Sequence, residues 1–318
     1  SATPTAISVT TSTADTTPPT VPAGLTATAV GSTKVNLAWS ASTDNVGVTG
    51  YTVYRNGVVL ATLGASVLTY SDAAVTQATT YAYSVDAFDS AGNHSAQSAT
   101  ASVHVPGVPK FVQSGVASTG SAVTSVTITL GAVAHGDLLV GWFGQWNSTG
   151  QVTVSDNVNG AWTRSASTAW HGGTSPGDIA LYYFANSAAA TSGLTITIAS
   201  TSATYLQGSA AEYSGVATVN PLDQVVIATG SSTSADSGLT AAVGPGELVY
   251  GGMIATNGPG TLTAGTSQGV AFVKRVQNTS GSQGEEDITS SAAGQQHAGF
   301  TFPTSTQWFA VCAVFKPA

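Results

Sequence analysis

The sequence predicts an all-β protein made of tandem β-sandwiches. Short segments in which apolar and polar residues alternate recur along the chain, as expected of half-buried strands. Turn signals rich in glycine, asparagine and proline separate these segments. From residue 111 to the end the strand pattern continues without a convincing helix, and an internal repeat appears there.

The composition favours a protein that works outside the cell. Only 7% of the residues are charged, 42% are hydrophobic, and the formal net charge is −8. The apolar content is enough for real cores, while serine, threonine, glycine and asparagine give a neutral surface. We therefore expect an extracellular or cell-surface location. No basic patch suits nucleic acid, and no apolar run approaches the roughly 18 residues of a membrane span.

The first element, residues 1–19, contains a candidate donor strand. Ile7 and Val9 alternate with Ser8 and Thr10, and Pro18-Pro19 punctuates the chain before the first domain. A strand needs partners for its main chain and its apolar face. We expect Ile7 and Val9 to be assembly residues, buried in a sheet outside residues 20–105. The alternatives are the last strand of a preceding sandwich, or a flexible tail.

The second element, residues 20–106, is predicted to be a sandwich of short strands. "KVNLAWS" places Val35, Leu37 and Trp39 on one face, and "GYTVYRNGVVLAT" is a hairpin with an Asn56-Gly57 turn. With Pro22, Leu25 and "TTYAYSVDAFDSAGNHS", this segment resembles a fibronectin type III domain. The resemblance implies seven strands, Trp39 in the core, a Tyr81 hydroxyl that ties down a corner, and a spacer role.

The remaining elements are a linker, residues 107–110, and two repeats, residues 111–216 and 217–318. "ASTGSAVTSVTITLGAVAHGDLLVGW" aligns with "IATGSSTSADSGLTAAVGPGELVYGG" at an offset of 110 residues. The ends of the repeats align at an offset of 103, which matches Glu212 with Phe315. We expect two jelly-roll-like, Greek-key sandwiches, related by internal duplication and packed side by side.

Four stretches of this region carry a second resemblance: "VSDNVNGAWT", "IALYYFAN", "AAEYSGV" and "NPLD". They are similar to a β-sandwich module of secreted bacterial multidomain proteins. This resemblance implies location and fold, without implying any chemistry.

Catalytic chemistry finds little support in the sequence, and no catalytic residue, metal site or cofactor is predicted. The two G-x-S-x-G matches, 173–177 and 265–269, precede no helical pattern. The five histidines are scattered singly. Glu212 is of interest because it lies within a predicted strand. The acidic run Glu285-Glu286-Asp287 is interpreted as a loop rim or a weak calcium site.

Sugar binding has more support than catalysis. "LLVGWFGQW" places Trp142 and Trp146 on the same strand face, roughly 13 Å apart, and Trp170 lies in a loop-like stretch. Exposed aromatic rings can stack on sugars, although aromatic residues of sandwiches more often lie in cores. These three tryptophans are the candidate carbohydrate-binding residues.

Three functional hypotheses remain. The first is a non-enzymatic structural subunit that self-assembles through its N-terminal strand into a filament or surface layer. The second is a protein that binds polysaccharide, and the third, with least support, is an unrecognised glycoside-active enzyme.

Overall fold

The computed structural model describes residues 14–170, 177–279, 282–289 and 291–318, with only the main chain of Trp170. The chain divides into two compact units, Ser1–Val105 and Pro106–Ala318. No helix occurs among the described residues, and most of them lie in strands. The predicted all-β fold class is therefore confirmed.

The first unit is a two-sheet sandwich. One sheet has the strand order β1-β2-β5 and the other β4-β3-β6-β7. The seven strands that residues 14–105 form are β1 Ala23–Val30, β2 Lys34–Ser40, β3 Val48–Arg55, β4 Val58–Gly64, β5 Thr69–Asp72, β6 Thr79–Asp89 and β7 Ala101–Val105.

Local chemistry explains why these residues form a fibronectin type III sandwich. Asn56 and Gly57 have φ angles of 52° and 79°, as a type I′ hairpin turn requires. Trp39 is 6% exposed and contacts Tyr51 edge to face at 5.7 Å. The Tyr81 hydroxyl accepts a hydrogen bond of 2.8 Å from the main-chain N–H of Thr76. The resemblance and its core tryptophan and corner tyrosine are confirmed.

The described residues of the first half of the second unit form eight strands: β8 Lys110–Ser118, β9 Val123–Leu130, β10 Leu138–Trp146, β11 Thr153–Asp156, β12 Gly160–Ala161, β13 Thr163–Trp170, β14 Gly177–Phe184 and β15 Leu194–Ser214. The long strand β15 belongs to two sheets. Its first part pairs with β9 and β11 in the first outer sheet. Its last part pairs with β8 and β10, and these strands with β14 and β13 form the first inner sheet.

In the second half, the part of the chain that the structure describes forms ten strands: β16 Leu222–Asp236, β17 Ala242–Val243, β18 Leu248–Ala255, β19 Thr263–Ala264, β20 Thr266–Ser267, β21 Val270–Ala271, β22 Val273–Gln277, β23 Gln283–Ile288, β24 Gly294–Gln295 and β25 Gly299–Phe315. The order β16-β25-β18-β23-β22 forms the second inner sheet. The short strands cover its other face. Cys312 is wholly buried in the core between them, as the apolar run around it predicted.

The two halves begin their central strands in the same way. Gly136 and Gly246 both have positive φ angles, 92° and 82°, two residues before β10 and β18. Their N–H groups donate to the carbonyls of Ser187 and Ser291, each at 2.8 Å. This equivalence supports the internal duplication that the offset of 110 predicts.

At the C-terminal ends of the halves, the structural offset is 102 residues and not the predicted 103. Tyr213 pairs with Leu138, and Phe315 pairs with its equivalent Leu248. Glu212 therefore corresponds to Val314, so the match with Phe315 was wrong. A slip of one residue moves a side chain to the opposite face of the sheet.

Candidate functional site

The two halves of the second unit pack face to face through their inner sheets, and not side by side as expected. Residues 138–145 of β10 and all of β18 are buried. Successive side chains of these strands point alternately into two different cores. Leu138, Val140 and Trp142 join a core that both halves share, while Leu139 and Phe143 join the core of the first half alone. We call this shared layer the inter-half interface.

The inter-half interface has the contact pattern of a two-fold dimer within one chain. By their pairing, β8, β10 and β13 correspond to β16, β18 and β22. Strand β10 contacts its equivalent β18, while β8 contacts β22 and β13 contacts β16. Such reciprocal contacts characterise isologous interfaces.

Trp142 fills the centre of the inter-half interface. Its side chain is fully buried, and its indole N–H donates to the carbonyl of Phe309 in the other half at 3.3 Å. A Cβ atom at Gly252, the repeat equivalent of Trp142, would lie 2.8 Å from the Trp142 Cβ. One tryptophan therefore occupies the space that its equivalent glycine leaves.

The three candidate carbohydrate-binding tryptophans have different outcomes. Trp142 and Trp146 share a strand face as predicted, but that face is the inter-half interface. The prediction that Trp142 binds sugar is therefore wrong, because no part of its ring reaches solvent. Trp146 is half-buried at the edge of the same core. The side chain of Trp170 lies outside the described residues, as do Ile7 and Val9.

The acidic run Glu285-Glu286-Asp287 is not a loop rim. It lies in strand β23, where all three residues are 0% exposed. By pairing, their equivalents in the first half are Leu181, Tyr182 and Tyr183. Sequence reasoning missed this site because three adjacent carboxylates are the residues least expected in a buried strand.

Asp287 is neutralised by an ion pair and a hydrogen bond. The Arg275 guanidinium donates to both carboxylate oxygens, at 2.6 and 2.8 Å. The hydroxyl of Tyr213, from the first half, donates to the same carboxylate at 2.8 Å. Arg275 also stacks over the Phe111 ring at 4.2 Å. This arrangement satisfies a buried charge across the inter-half interface.

The symmetry-related contact has no charge. The repeat equivalents of Tyr213 and Asp287 are Phe315 and Tyr183, whose rings meet edge to face at 5.9 Å. The same interface position is thus polar on one side of the pseudo-two-fold axis and aromatic on the other. This difference makes the two halves complementary rather than interchangeable.

Glu285 is buried at the inter-half interface in a different way. It accepts a hydrogen bond of 2.6 Å from the Tyr250 hydroxyl, and its Oε2 atom has no hydrogen-bond partner among the described residues. The Ser209 hydroxyl lies close to the same carboxyl group without a hydrogen bond of normal geometry. Burial raises the pKa of Glu285 to about 8.

Glu286 points into the core of the second half. It accepts hydrogen bonds from the main-chain N–H groups of Gly265, at 3.0 Å, and Gly299, at 2.8 Å. Burial outweighs these bonds and raises the pKa of Glu286 to about 8. Both glutamates are therefore mostly protonated at pH 7.

These raised pKa values predict that the second unit loses stability as pH rises. Between pH 4.5 and 8 the unfolded chain ionises both glutamates while the folded chain keeps them protonated. Each group then lowers the free energy of unfolding by about 1.4 kcal/mol per pH unit in that window. The effect levels off above pH 8. Denaturant melts of the full chain at pH 5, 6, 7 and 8 measure this slope.

Glu285→Gln is the matched variant for this test, since it keeps the shape and removes the titration. Its slope should be smaller than that of the wild type, whereas Asp236→Asn, at an exposed position, should leave the slope unchanged. Stability that rises from pH 5 to pH 8 would contradict the assignment.

A second carboxyl pair, Asp137 and Glu212, lies at the end of the first half. Burial, with the adjacent Glu212, raises the pKa of Asp137 to about 7. Glu212 is 0% exposed and accepts a hydrogen bond of 2.6 Å from the Gln113 side chain. Both carboxyl groups are enclosed by protein.

The other sequence motifs also have structural roles. Ser267, in the second G-x-S-x-G match, is 1% exposed and donates to the Gln296 side-chain oxygen at 2.9 Å. It lies in β20, with no helix behind it among the described residues. Ser175 of the first match lies outside the described residues. No helix in the described part of the chain is long and apolar enough to cross a membrane.

Taken together, these elements define an all-β protein with a fibronectin type III domain and a duplicated sandwich unit. No family model matches the chain. It is 54% identical over 93 residues to chitinase Chi52 of Paenibacillus xylanexedens, covering 29% of this chain and 17% of that protein. It is 58% identical over 81 residues to chitinase D of Niallia circulans, covering 26% and 15%.

A longer match of 129 residues, at 44% identity, is to exoglucanase B of Cellulomonas fimi, and it covers 40% of this chain and 12% of that protein. The chain thus spans less than a fifth of each of these three relatives. The similarity lies in their fibronectin type III or accessory portions. These matches confirm the recognised domain type and the extracellular or cell-surface location.

Proposed function

We propose that the chain is a non-enzymatic extracellular structural protein, with a fibronectin type III spacer joined to a rigid double sandwich. The observation that carries this proposal is the inter-half interface. Its aromatic rings and carboxyl groups are buried against one another, with Trp142, Glu285 and Asp287 each 0% exposed. The relatives support the same role, since the chain resembles only accessory parts of polysaccharide-degrading enzymes.

Glycoside-active chemistry is disfavoured by burial. A glycosidase needs two carboxyl groups that flank the scissile bond of a bound sugar. Asp137 and Glu212 are 6% and 0% exposed, and Glu285 is 0% exposed. A sugar ring cannot approach any of these three groups in the folded protein.

Assembly through the N-terminal segment is the finer part of the proposal. Residues 14–105, as described, already supply the seven strands that the fold of the first unit requires, so these two sheets offer no internal place for a further strand. Thr20 donates its N–H to the Thr43 carbonyl at 2.9 Å, which anchors the chain just before β1. An apolar strand upstream of this anchor would pair with the sandwich of a neighbouring copy, and head-to-tail repetition would give a filament.

Deleting residues 1–13 tests assembly, because it removes the candidate strand and leaves the anchored segment in place. We expect the full chain to form fibres or layers in electron micrographs and the truncated chain to remain monomeric. The double variant Ile7→Ser, Val9→Ser should also fail to assemble. The matched control is Ser8→Ala, Thr10→Ala, on the opposite strand face, which should assemble normally. Equal assembly of all four proteins, or of none, contradicts this part of the proposal.

Polysaccharide binding is the second candidate function, because the relatives reported above are two chitinases and an exoglucanase. The side chain of Trp146 is partly exposed, so its indole ring remains a candidate for stacking on a sugar. A separate shallow groove of about 500 Å³ in the first unit is lined by Thr26, Asn36, Tyr70 and Ser71, among others. Hydroxyl and amide groups beside an aromatic ring suit a sugar chain.

Sedimentation with insoluble chitin and cellulose tests this candidate. If the protein binds through one of these surfaces, Trp146→Ala or Tyr70→Ala should reduce the bound fraction severalfold. Val219→Ala, at a position 75% exposed, is the control. The candidate is lost if the wild-type protein stays in the supernatant with both polymers.

A further inference from the structure

A row of polar side chains lies inside the inter-half interface, between β15 of the first half and β23 of the second half, which contact each other. The row consists of Gln207, Ser209, Gln283 and Glu285. Gln207 is 5% exposed, and the other three residues are 0% exposed. We call this row the polar seam.

The strand register places Ser209 and Glu285 opposite each other. Ser209 pairs with Trp142 in the first inner sheet, and Glu285 pairs with Gly252 in the second. Directly paired residues of antiparallel strands point to the same face of a sheet, and Trp142 packs against Gly252 across the interface. The Ser209 hydroxyl accordingly lies close to the Glu285 carboxyl group.

Gln207 and Gln283 lie opposite each other by the same register, two residues further along their strands. Gln207 pairs with Gly144, and Gln283 pairs with Ile254. A Cβ atom at Gly144 would lie 3.4 Å from Cδ1 of Ile254, so these two neighbours also meet across the interface. The polar seam therefore has two levels, each with one side chain from either half.

The symmetry-related side of the interface is apolar. Strand pairing gives every residue of the polar seam an apolar equivalent across the pseudo-two-fold axis. In the order in which the seam was defined, these equivalents are Phe309, Val311, Ile179 and Leu181, and all four lie in the core that the halves share. Each of them fills more volume than its polar counterpart, so the polar seam leaves space that the apolar side fills.

The polar atoms of the seam lack partners inside the protein. Gln207 Nε2, Ser209 Oγ, Glu285 Oε2 and both side-chain polar atoms of Gln283 are closed to solvent and make no hydrogen bond among the described residues. Buried polar atoms of folded proteins almost always bond to protein or to ordered water. Amide nitrogens donate, amide and carboxyl oxygens accept, and a hydroxyl does both. A ligand that both donates and accepts is needed, which excludes a simple cation or anion.

We propose that the polar seam binds ordered water molecules that bridge the two halves. A buried water molecule makes about three hydrogen bonds, so about two waters satisfy the unpartnered atoms. Tyr205, two residues before Gln207 on the same strand, is 36% exposed. The Gln207 end of the seam is therefore the end through which these waters exchange with solvent. This site is independent of the proposed assembly function.

A high-resolution crystal structure of the full chain tests the site directly. We expect ordered water at hydrogen-bond distance, about 2.7 to 3.2 Å, from seam side chains of both β15 and β23. Direct hydrogen bonds among the four seam side chains, with no water between them, would overturn the proposal. An ion bound at this position would overturn it as well.

Gln283→Met provides a test in solution, because it keeps the length of the side chain and removes two of the unpartnered atoms. Relaxation dispersion of the solvent water counts long-lived buried waters, and this count should fall by about one per chain relative to the wild type. The matched control is Gln151→Met, at an exposed position, which should leave the count unchanged. Equal counts for the wild type and Gln283→Met contradict the proposal.

Discussion

Replacing Trp142 with alanine is expected to lower the free energy of unfolding of residues 106–318 by about 3 to 5 kcal/mol. The side chain is wholly buried between the two halves, and the hydrogen bond from its indole N–H to Phe309 would be lost. The resulting cavity cannot close easily, because Gly252 already stands where Trp142 packs most tightly. Urea unfolding followed by circular dichroism measures the change.

Trp146→Ala is the matched control, on the same strand and the same face. Because Trp146 is only half-buried at the edge of the core, its loss should cost less than half as much. If both substitutions lower the free energy of unfolding equally, burial in the inter-half interface is not the main reason why Trp142 stabilises the unit.

Arg275→Met is expected to destabilise the second unit by about 3 kcal/mol. The variant keeps most of the side-chain volume but leaves the Asp287 carboxylate, 0% exposed, with the Tyr213 hydroxyl as its remaining described side-chain donor. An isolated buried charge is far more costly than a buried pair. The midpoint of urea unfolding at pH 7 measures the loss.

Lys316→Met removes a different kind of ion pair and serves as the comparison. Lys316 lies 3.4 Å from Asp223, and both side chains are partly exposed, at 48% and 23%. Such surface pairs contribute at most about 1 kcal/mol. If Arg275→Met lowers the free energy of unfolding no more than Lys316→Met does, the structural role of the buried pair is contradicted.

Local sequence patterns were enough to predict the first unit. The alternation around Trp39, the Asn56-Gly57 turn and the corner at Tyr81 are each encoded within a few residues, so the fibronectin type III fold follows from them. The duplication was also predictable, since Gly136 and Gly246 occupy turns whose positive φ angles favour glycine.

The inter-half interface was not predictable by the same means. The pattern around Trp142 placed it correctly on one strand face, but it could not tell whether that face meets water or another sheet. A continuous apolar run such as "LLVGWF" indicates a strand buried on both faces, and this signal was available. The charged strand around Glu285 gave no such signal, because the hydrogen-bond donor of Glu285, Tyr250, is distant in sequence.

The contacts of the buried carboxyl groups could not be predicted from local sequence patterns either. Carboxyl pairing depends on which strands the fold places together, as with Arg275 and Tyr213 at Asp287. Assembly through Ile7 and Val9 stays a prediction, since those residues lie outside the described structure.

We infer that Pro106–Ala318 unfolds as one body, held together by its inter-half interface. Differential scanning calorimetry of the full chain tests this inference. Beside a smaller transition from the first unit, we expect a single two-state transition with an enthalpy of about 150 kcal/mol, as roughly 210 residues that unfold together require. Two separate transitions of about 70 kcal/mol each would show that the halves unfold independently, which would contradict the inference.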